Sequence, residues 1–146
     1  MNRKKSKIIL KYIFFGTLLI DQGTKFLAET YLRRRGINFG KWLSFSLSHN
    51  TGCAWSFLQN NAFLLAILGV LILGIIFWKR HFLDIYRRPI SFGLLLGGMV
   101  GNVIDRLCRG FVIDFIDVNL QIYRWPTFNV ADAALCIAVV MLVLKE

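Results

Sequence analysis

The residues from Asn61 to Trp78 form an eighteen-residue segment without a charged side chain. A helix of that length extends about 27 Å, close to the ~30 Å hydrocarbon thickness of a bilayer. The composition of the chain agrees, because it is 56% hydrophobic with a mean hydropathy of +0.57, too apolar for an ordinary soluble domain. The segment is therefore predicted to be a transmembrane helix of a small polytopic membrane protein.

Three further apolar segments also predict transmembrane helices. The four predicted helices span about residues 8–27, 61–78, 90–107 and 128–144, within a single domain covering residues 1–146. The segment at 8–27 follows a basic start, as in a signal peptide, but no small-x-small cleavage site follows it and its pattern continues into Asp21. We therefore expect a retained first helix and an all-α membrane protein with four transmembrane helices.

Basic residues give the chain a formal net charge of +10. Most of them flank the apolar segments, and no basic, aromatic-rich soluble module remains to bind nucleic acid. With both termini in the cytoplasm, ten Lys and Arg residues lie inside and six lie outside. The positive-inside rule therefore predicts a multi-pass protein with both termini cytoplasmic, although the outer run from Arg33 to Arg35 opposes this orientation.

Two segments outside the predicted helices alternate apolar and polar residues. From Trp42 to His49, leucine or phenylalanine alternates with serine, and from Asp117 to Tyr123 apolar residues alternate with Asp, Asn and Gln. A period of two is typical of a half-buried β-strand. Both segments lie on the same side in the predicted topology, where Trp125 also suits the headgroup region.

Polar side chains interrupt the apolar segments at few positions. In the predicted topology they come to the outer edge of the bilayer, and they are Asp21, Lys25, Asn102, Asp105, Arg106, Asp114, Asn129 and Asp132. Asp21 and Lys25 are four residues apart on a helix, which allows an ion pair. Because ionisable side chains within a membrane are costly, they indicate a functional site.

Asp114 and Asp132 flank one short connection between two helices. Two carboxylates that are held close in a poorly solvated site cannot both ionise cheaply, so one keeps a proton while the other acts as a base. This is the chemistry of an aspartic protease. The amides of Asn102 and Asn129 are placed to hold the two carboxylates.

Other interpretations fit the residues less well. A proton- or ion-coupled transporter would use Asp21, Asp105 and Asp132 as a relay, but it needs carboxylates spread across the membrane. In a structural membrane protein the same side chains would only lock helices together. The spacing of the three cysteines, Cys53, Cys108 and Cys136, matches no metal site. A disulfide between Cys53 and Cys108 is an alternative that the sequence leaves open. His49 stands by itself, as a surface histidine would.

Five short motifs in order make the chain resemble the bacterial lipoprotein signal peptidase (signal peptidase II) family. The resemblance runs from Asp21 to Asp132 and covers most of the chain. The motifs are Asp21-Gln-x-x-Lys25, Asn50-Thr-Gly52-x-Ala54, Gly97-Gly-x-x-Gly101-Asn102-x-x-Asp105-Arg106, Gly110-x-Val112-x-Asp114-Phe115 and Phe128-Asn129-x-Ala131-Asp132. Each motif alone is weak, but the ordered set is specific.

The resemblance implies an aspartic endopeptidase with four transmembrane helices and a small extracytoplasmic β-sheet cradle. Such an enzyme removes signal peptides from prolipoproteins in the bacterial cytoplasmic (inner) membrane, by cutting before a cysteine that carries a diacylglyceryl group. Asp114 and Asp132 would be the catalytic pair. The residues that would support the site or contact substrate are Asp21, Lys25, Asn50, Gly52, Asn102, Asp105, Arg106 and Asn129.

The expected partners are the diacylglyceryl-modified prolipoprotein and membrane lipids, and we expect a monomer with its active site at the extracytoplasmic face. The resemblance implies no metal and no organic cofactor. Cys53 and Trp55 stand where the family more often has alanine and phenylalanine, and Met99 replaces a usual alanine. Trp55 is expected to change the shape of the substrate pocket.

Overall fold

The computed structural model describes residues 2–52 and 58–144 of the 146-residue chain. Four helices and three strands follow one another in the order α1 (Arg3–Tyr31), β1 (Ile37–Phe39), β2 (Leu43–Asn50), α2 (Ala62–Trp78), α3 (Pro89–Arg109), β3 (Val112–Val118) and α4 (Val130–Val143). All four predicted helices form. The first is longer than predicted at both ends, because its basic start and its polar end continue the helix.

Local sequence signals set the ends of the helices. The side chain of Asn2 accepts a hydrogen bond from the backbone N–H of Lys4 and caps α1. Pro89 occupies the first turn of α3, where its missing N–H costs nothing, and α3 ends at Gly110 with a left-handed φ of 79°. Asn129 caps α4, so that helix begins two residues later than predicted.

Among the described residues, α3 combines the length and the apolar composition of a membrane span. The helices α2 and α4 are apolar but shorter, with 17 and 14 residues.

The helix α3 lies at the centre of the bundle and packs against α1, α4 and α2. Its glycines allow the neighbouring helices to approach closely. A Cβ atom at Gly97 would lie 2.8 Å from the Cβ of Thr17 on α1, and one at Gly98 would lie 2.6 Å from the carbonyl oxygen of Ala131 on α4. These contacts bring the polar positions of α1, α3 and α4 together.

The three strands form one antiparallel sheet in the order β1-β2-β3. Phe39 pairs with Leu43 across the first turn, Ser48 pairs with Asp114, and the register of β2 and β3 shifts between Phe45 and Ser48. A small core between α1 and the sheet includes Ala28, Leu32, Ile113 and Phe115. This core fixes β3 beside the end of α1.

The strand predicted from Trp42 to His49 is confirmed as β2, but the strand predicted from Asp117 to Tyr123 is wrong in position. The strand observed in this region is β3, which ends at Val118. It is mostly buried on both faces, so its sequence does not alternate apolar and polar residues. The residues after Val118 form an exposed turn, in which Gln121 has a positive φ of 65°. The edge strand β1 was not predicted, because it has three residues and all are exposed.

Candidate active site

Asp114 and Asp132 line the same cavity, which has a volume of about 760 Å³. Asp114 lies in β3 and its residue is 2% exposed, whereas Asp132 lies in the first turn of α4 and is half-buried. The strand and the helix approach the cavity from different directions. Two carboxylates from different secondary-structure elements thus line one pocket.

Asn129 connects the two carboxylates. Its side-chain nitrogen donates to Oδ1 of Asp114 at 2.8 Å and to Oδ1 of Asn102 at 3.1 Å. Its side-chain oxygen accepts from the backbone N–H of Asp132 at 2.9 Å, and its own backbone N–H donates to Oδ2 of Asp132 at 3.3 Å. This reciprocal pattern is a capping box, so the cap of α4 also holds the site.

Two further side-chain amides donate to the carboxylate oxygens of Asp114 and Asp132 that Asn129 does not contact. The side-chain nitrogen of Asn50 donates to Oδ2 of Asp114 at 3.0 Å, and that of Asn102 donates to Oδ1 of Asp132 at 2.7 Å. Every carboxylate oxygen of the pair therefore accepts a hydrogen bond from a nitrogen donor. The side-chain amides of Asn102 and Asn129 thus donate hydrogen bonds to the two carboxylates, which is the arrangement that the sequence predicts.

Burial raises the pKa of Asp114 from its ordinary value of 3.8 to about 7, and the charge of Asp132 adds to that increase. Hydrogen bonds from Asn50 and Asn129 oppose it, as does the positive charge of Lys25. A carboxyl group with this pKa exchanges its proton near neutral pH. General acid–base catalysis is most effective with such a group.

A fully buried charge cluster lies behind the pair. The Nζ of Lys25 is 2.8 Å from Oδ2 of Asp21 and 2.8 Å from Oδ2 of Asp105. It also donates to Oδ1 of Asn102 at 3.0 Å. The predicted pairing of Asp21 with Lys25 is confirmed, and the cluster fixes the amide of Asn102 that reaches Asp132. Lys25 is thus connected to Asp132 through one intermediate side chain, Asn102.

Two residues of this cluster were not predicted. The side-chain nitrogen of Gln22 donates to the carbonyl of Gly101 at 3.2 Å and to Oδ1 of Asp105 at 3.1 Å. Arg109 pairs with the same oxygen of Asp105 from the next helical turn. Two features of the sequence could have identified them. Gln22 directly follows Asp21, and Arg109 is four residues after Asp105 on the same helix.

The turn after β2 is tied to α3. Oδ1 of Asn50 accepts from the backbone N–H of Gly52 at 3.0 Å, and Nη2 of Arg106 donates to the carbonyl of Gly52 at 2.9 Å. Arg106 also lines the cavity. The structure thus brings together all ten residues that the sequence singled out, with the side chains of Asp21, Lys25 and Asp105 behind the cavity.

Among the other candidate residues, His49 and Cys136 also line the cavity. His49 is exposed, stacks on Phe111 with ring centroids 4.1 Å apart, and places Nε2 3.6 Å from Oε1 of Glu29. Cys108 and Cys136 are free and exposed. Cys53 and Trp55 lie outside the described residues, so their predicted effects stay predictions. Among residues 2–52 and 58–144, no group of three or more His, Cys, Asp or Glu side chains is arranged to hold a metal ion.

The sequence model of one protein family, described as signal peptidase (SPase) II, matches residues 13–146. The chain belongs to the signal peptidase II family. The resemblance seen in the five motifs is therefore confirmed, and the chain is a protease of this family.

Named relatives agree with the family assignment. The lipoprotein signal peptidase of Coxiella burnetii (strain RSA 331 / Henzerling II) is 36% identical over 152 residues, with 98% of this chain and 93% of the relative covered. That of Francisella tularensis subsp. novicida (strain U112) is 35% identical, with 92% and 89% covered. That of Alteromonas mediterranea is 34% identical, with 92% and 79% covered.

Two solved structures of bacterial membrane enzymes, determined by the in meso method at 2.3 and 1.9 Å resolution, have the same fold. Each is 28% identical to this chain and covers 97% of it, with TM-scores of 0.79 and 0.78. The chain covers 87% and 92% of the two structures. Its membership of the signal peptidase II family and its similarity to these structures show that the protein is a bacterial membrane protein. The comparisons give no support to the transporter interpretation.

Proposed function

We propose that this protein is an aspartic endopeptidase that removes signal peptides from prolipoproteins, with Asp114 and Asp132 as its catalytic pair. The function itself follows from the family and from the lipoprotein signal peptidases to which the chain is similar. The observation that carries the catalytic assignment is the pair of carboxylates on one cavity, each held by two nitrogen donors.

In the proposed mechanism, ionised Asp132 takes a proton from a water molecule that attacks the scissile carbonyl. Asp114 carries the second proton and donates it toward the carbonyl oxygen, since its pKa of about 7 keeps it protonated for part of the time at neutral pH. The resulting tetrahedral intermediate breaks as protonated Asp132 gives its proton to the leaving amine, while Asp114 takes back a hydroxyl proton as the carbonyl re-forms. Both carboxyl groups thereby return to their starting protonation states.

The proposed orientation has four membrane-spanning helices, both termini in the cytoplasm and the sheet outside. The basic residues at the start of α1 and between α2 and α3 support this orientation, because they are typical of cytoplasmic ends. The cavity then opens near the outer boundary of the membrane. Its walls include Leu65, Met99 and Leu135, which are apolar and half-buried.

A cavity with polar catalytic groups and apolar walls suits a substrate whose cysteine carries a diacylglyceryl group. The acyl chains would contact the apolar walls while the peptide bond before the cysteine reaches Asp114 and Asp132. The enzyme is proposed to act as a monomer, because all the groups used in this mechanism come from one chain. No metal or organic cofactor takes part in these steps.

The test is cleavage by purified wild-type protein in detergent, with the same prolipoprotein supplied with and without the diacylglyceryl group. Mass spectrometry of the products should locate the cut on the amino side of the modified cysteine and should detect little product from the unmodified substrate. Equal cleavage of both substrates would refute the lipid requirement, and a cut elsewhere would refute the proposed specificity.

A further inference from the structure

A second cavity lies between the amino end of α1 and the loop that joins α2 to α3. It has a volume of about 360 Å³, and we name it the basic cavity; it is lined by Arg3, Ser6, Arg80, His81, Asp84, Tyr86 and Arg87. Arg3 and Lys25 are 22 positions apart on α1, or about 33 Å along the helix. The basic cavity is thus distinct from the candidate active site.

Positive charge dominates the basic cavity. Three arginines line it, and Lys7 lies one helical turn from Arg3. The carboxylate of Asp84 lies 3.5 Å from Nε of Arg87, and both side chains are more than half exposed, which weakens this pair. The amino terminus of α1 adds the positive end of a helix dipole. An anion is therefore the chemical class of ligand that fits.

Several of these cations are held by rings and carbonyls, which leave their charge uncompensated. The ring of Tyr86 has the guanidinium of Arg3 at 5.4 Å and the ammonium of Lys7 at 5.5 Å from its centroid. Arg80 donates from Nη1 to the carbonyl of Phe77 at 2.9 Å and lies over the Phe77 ring. The cationic groups are thus positioned before any ligand binds.

A hydroxyl donor completes the lining. Ser6 is only 1% exposed, and its Oγ donates a long hydrogen bond of 3.4 Å to the carbonyl oxygen of Asn2, which it would exchange for a ligand oxygen. A phosphate group accepts hydrogen bonds from guanidinium and hydroxyl groups together, and arginine is the side chain best suited to hold it. The combination of several arginines with one buried serine favours a phosphate over a simple halide.

Exposed apolar residues lie within two positions in sequence of residues that line the basic cavity. Phe82 is 87% exposed, Ile8 is 45% exposed and Leu83 is 38% exposed. In a membrane protein such residues contact acyl chains, while a nearby cluster of arginines contacts anionic headgroups. The geometry points to a binding site for the phosphate of an anionic phospholipid, with the acyl chains against these apolar residues. This site is independent of the peptidase chemistry.

The test measures binding of phosphatidylglycerol to the full-length protein in a neutral detergent. Native mass spectrometry counts retained lipids, and thermal unfolding follows stabilisation during the titration. Wild type is expected to retain one phosphatidylglycerol with saturable binding, whereas phosphatidylcholine with the same acyl chains should not compete. The double variant Arg3→Gln/Arg80→Gln should bind about 25-fold more weakly, at roughly fivefold for each charge removed.

The matched control is Arg33→Gln/Arg34→Gln, which removes two exposed charges beyond the other end of α1 and should change the affinity less than twofold. If the double variant fails to fold, the single variant Arg87→Gln replaces it. The Arg87 side chain is 83% exposed, so its substitution should leave the fold intact. About fivefold weaker binding is expected for this variant. Unchanged affinity in a folded variant of Arg3 and Arg80, or of Arg87, would overturn the proposal. Equal stabilisation by inorganic phosphate alone would also overturn it, since the ligand would then not be a lipid.

Discussion

The side-chain nitrogen of Asn129 lies 2.8 Å from Oδ1 of Asp114, although the same residue caps the helix that carries Asp132. One amide therefore ties the start of α4 to a carboxylate in β3. Because the capping oxygen and the donating nitrogen belong to one side chain, the position of Asp132 cannot change without affecting the contact to Asp114. The fold and the candidate catalytic pair share this residue.

Asn129→Ser should separate these two roles. Serine is a good N-cap, so the thermal stability of the helix should change little, but its side chain is too short to replace the nitrogen that donates to Asp114. We expect kcat to fall about 10- to 100-fold, within the range of a lost orienting contact. Asn129→Ala should lose the cap as well and cost about 1 kcal/mol more in the free energy of unfolding. Equal kcat for wild type and Asn129→Ser would contradict the positioning role.

Cleavage activity is expected to decline as the pH rises through about 7. Burial and the charge of Asp132 raise the pKa of Asp114 to about 7, so this residue loses its proton there, while Lys25 and the amide of Asn50 limit the increase. The measurement is kcat/KM between pH 5.5 and 8.5. His49 also lines the cavity, so His49→Gln is the control and should keep the decline. An activity that is constant or rising across this range would contradict the proton assignment.

The same carboxyl group should make stability depend on pH in a defined direction. The folded pKa of Asp114 lies above its ordinary value of 3.8, so the folded state holds the proton more tightly than the unfolded state. Its contribution to stability is full below about pH 4 and is lost as the pH rises toward 7. The difference in unfolding temperature between Asp114→Asn and wild type should therefore shift in favour of the variant over this range. A shift in the opposite direction would contradict the raised pKa.

Removing the buried ammonium of Lys25 should destabilise the protein strongly. Lys25→Met leaves two carboxylates, those of Asp21 and Asp105, without their shared cation in a site with no exposure. The expected loss is about 3–5 kcal/mol in the free energy of unfolding. Thermal unfolding in detergent measures it, with exposed Lys11→Met as the control on the same helix. Adding Asp105→Asn to Lys25→Met should recover part of the lost stability. A Lys25→Met variant as stable as wild type would show that the cluster contributes little to the free energy of unfolding.

The contact between α1 and α3 should not tolerate a side chain at Gly97. A Cβ there would lie 2.8 Å from the Cβ of Thr17 and 2.9 Å from the carbonyl oxygen of Phe14, so the two helices must separate. Gly97→Ala is expected to cost about 1–3 kcal/mol. Gly16→Ala is the control, because a Cβ at Gly16 has open space and alanine favours a helix by about 0.5–1 kcal/mol. Equal unfolding temperatures for the two variants would contradict the close packing.

The apolar segments predicted the helices because their length and composition have few other solutions in a membrane. The spacing of Asn129 and Asp132 likewise predicts neighbours on one helix, and the structure has them in a capping box. Strand β3 was less predictable, since burial on both faces removes the alternation that identifies a strand. The alternation after Val118 belongs to a turn, because local hydrogen bonds and a positive φ at Gln121 outweigh the strand pattern.

Contacts between distant segments were the least predictable part of the site. The pairing of Ser48 with Asp114 depends on the register of two strands separated by two helices, and sequence spacing does not encode it. Gln22 and Arg109 join the cluster around Asp105 for the same reason. Polar residues in a membrane protein therefore indicate which side chains meet, while tertiary packing decides which atoms touch.

The most direct test of the central claim compares cleavage of a diacylglyceryl-modified prolipoprotein by wild type, Asp114→Asn and Asp132→Asn. Asp117→Asn is the matched control, because Asp117 is a buried carboxylate of the same strand that pairs with Arg124 and does not line the cavity. Thermal unfolding in the same detergent checks that each variant is folded. We expect both cavity variants to lose about 10²- to 10⁴-fold in kcat and the control to remain active. Substantial cleavage by folded Asp114→Asn or Asp132→Asn would contradict the assignment of these two residues as the catalytic pair.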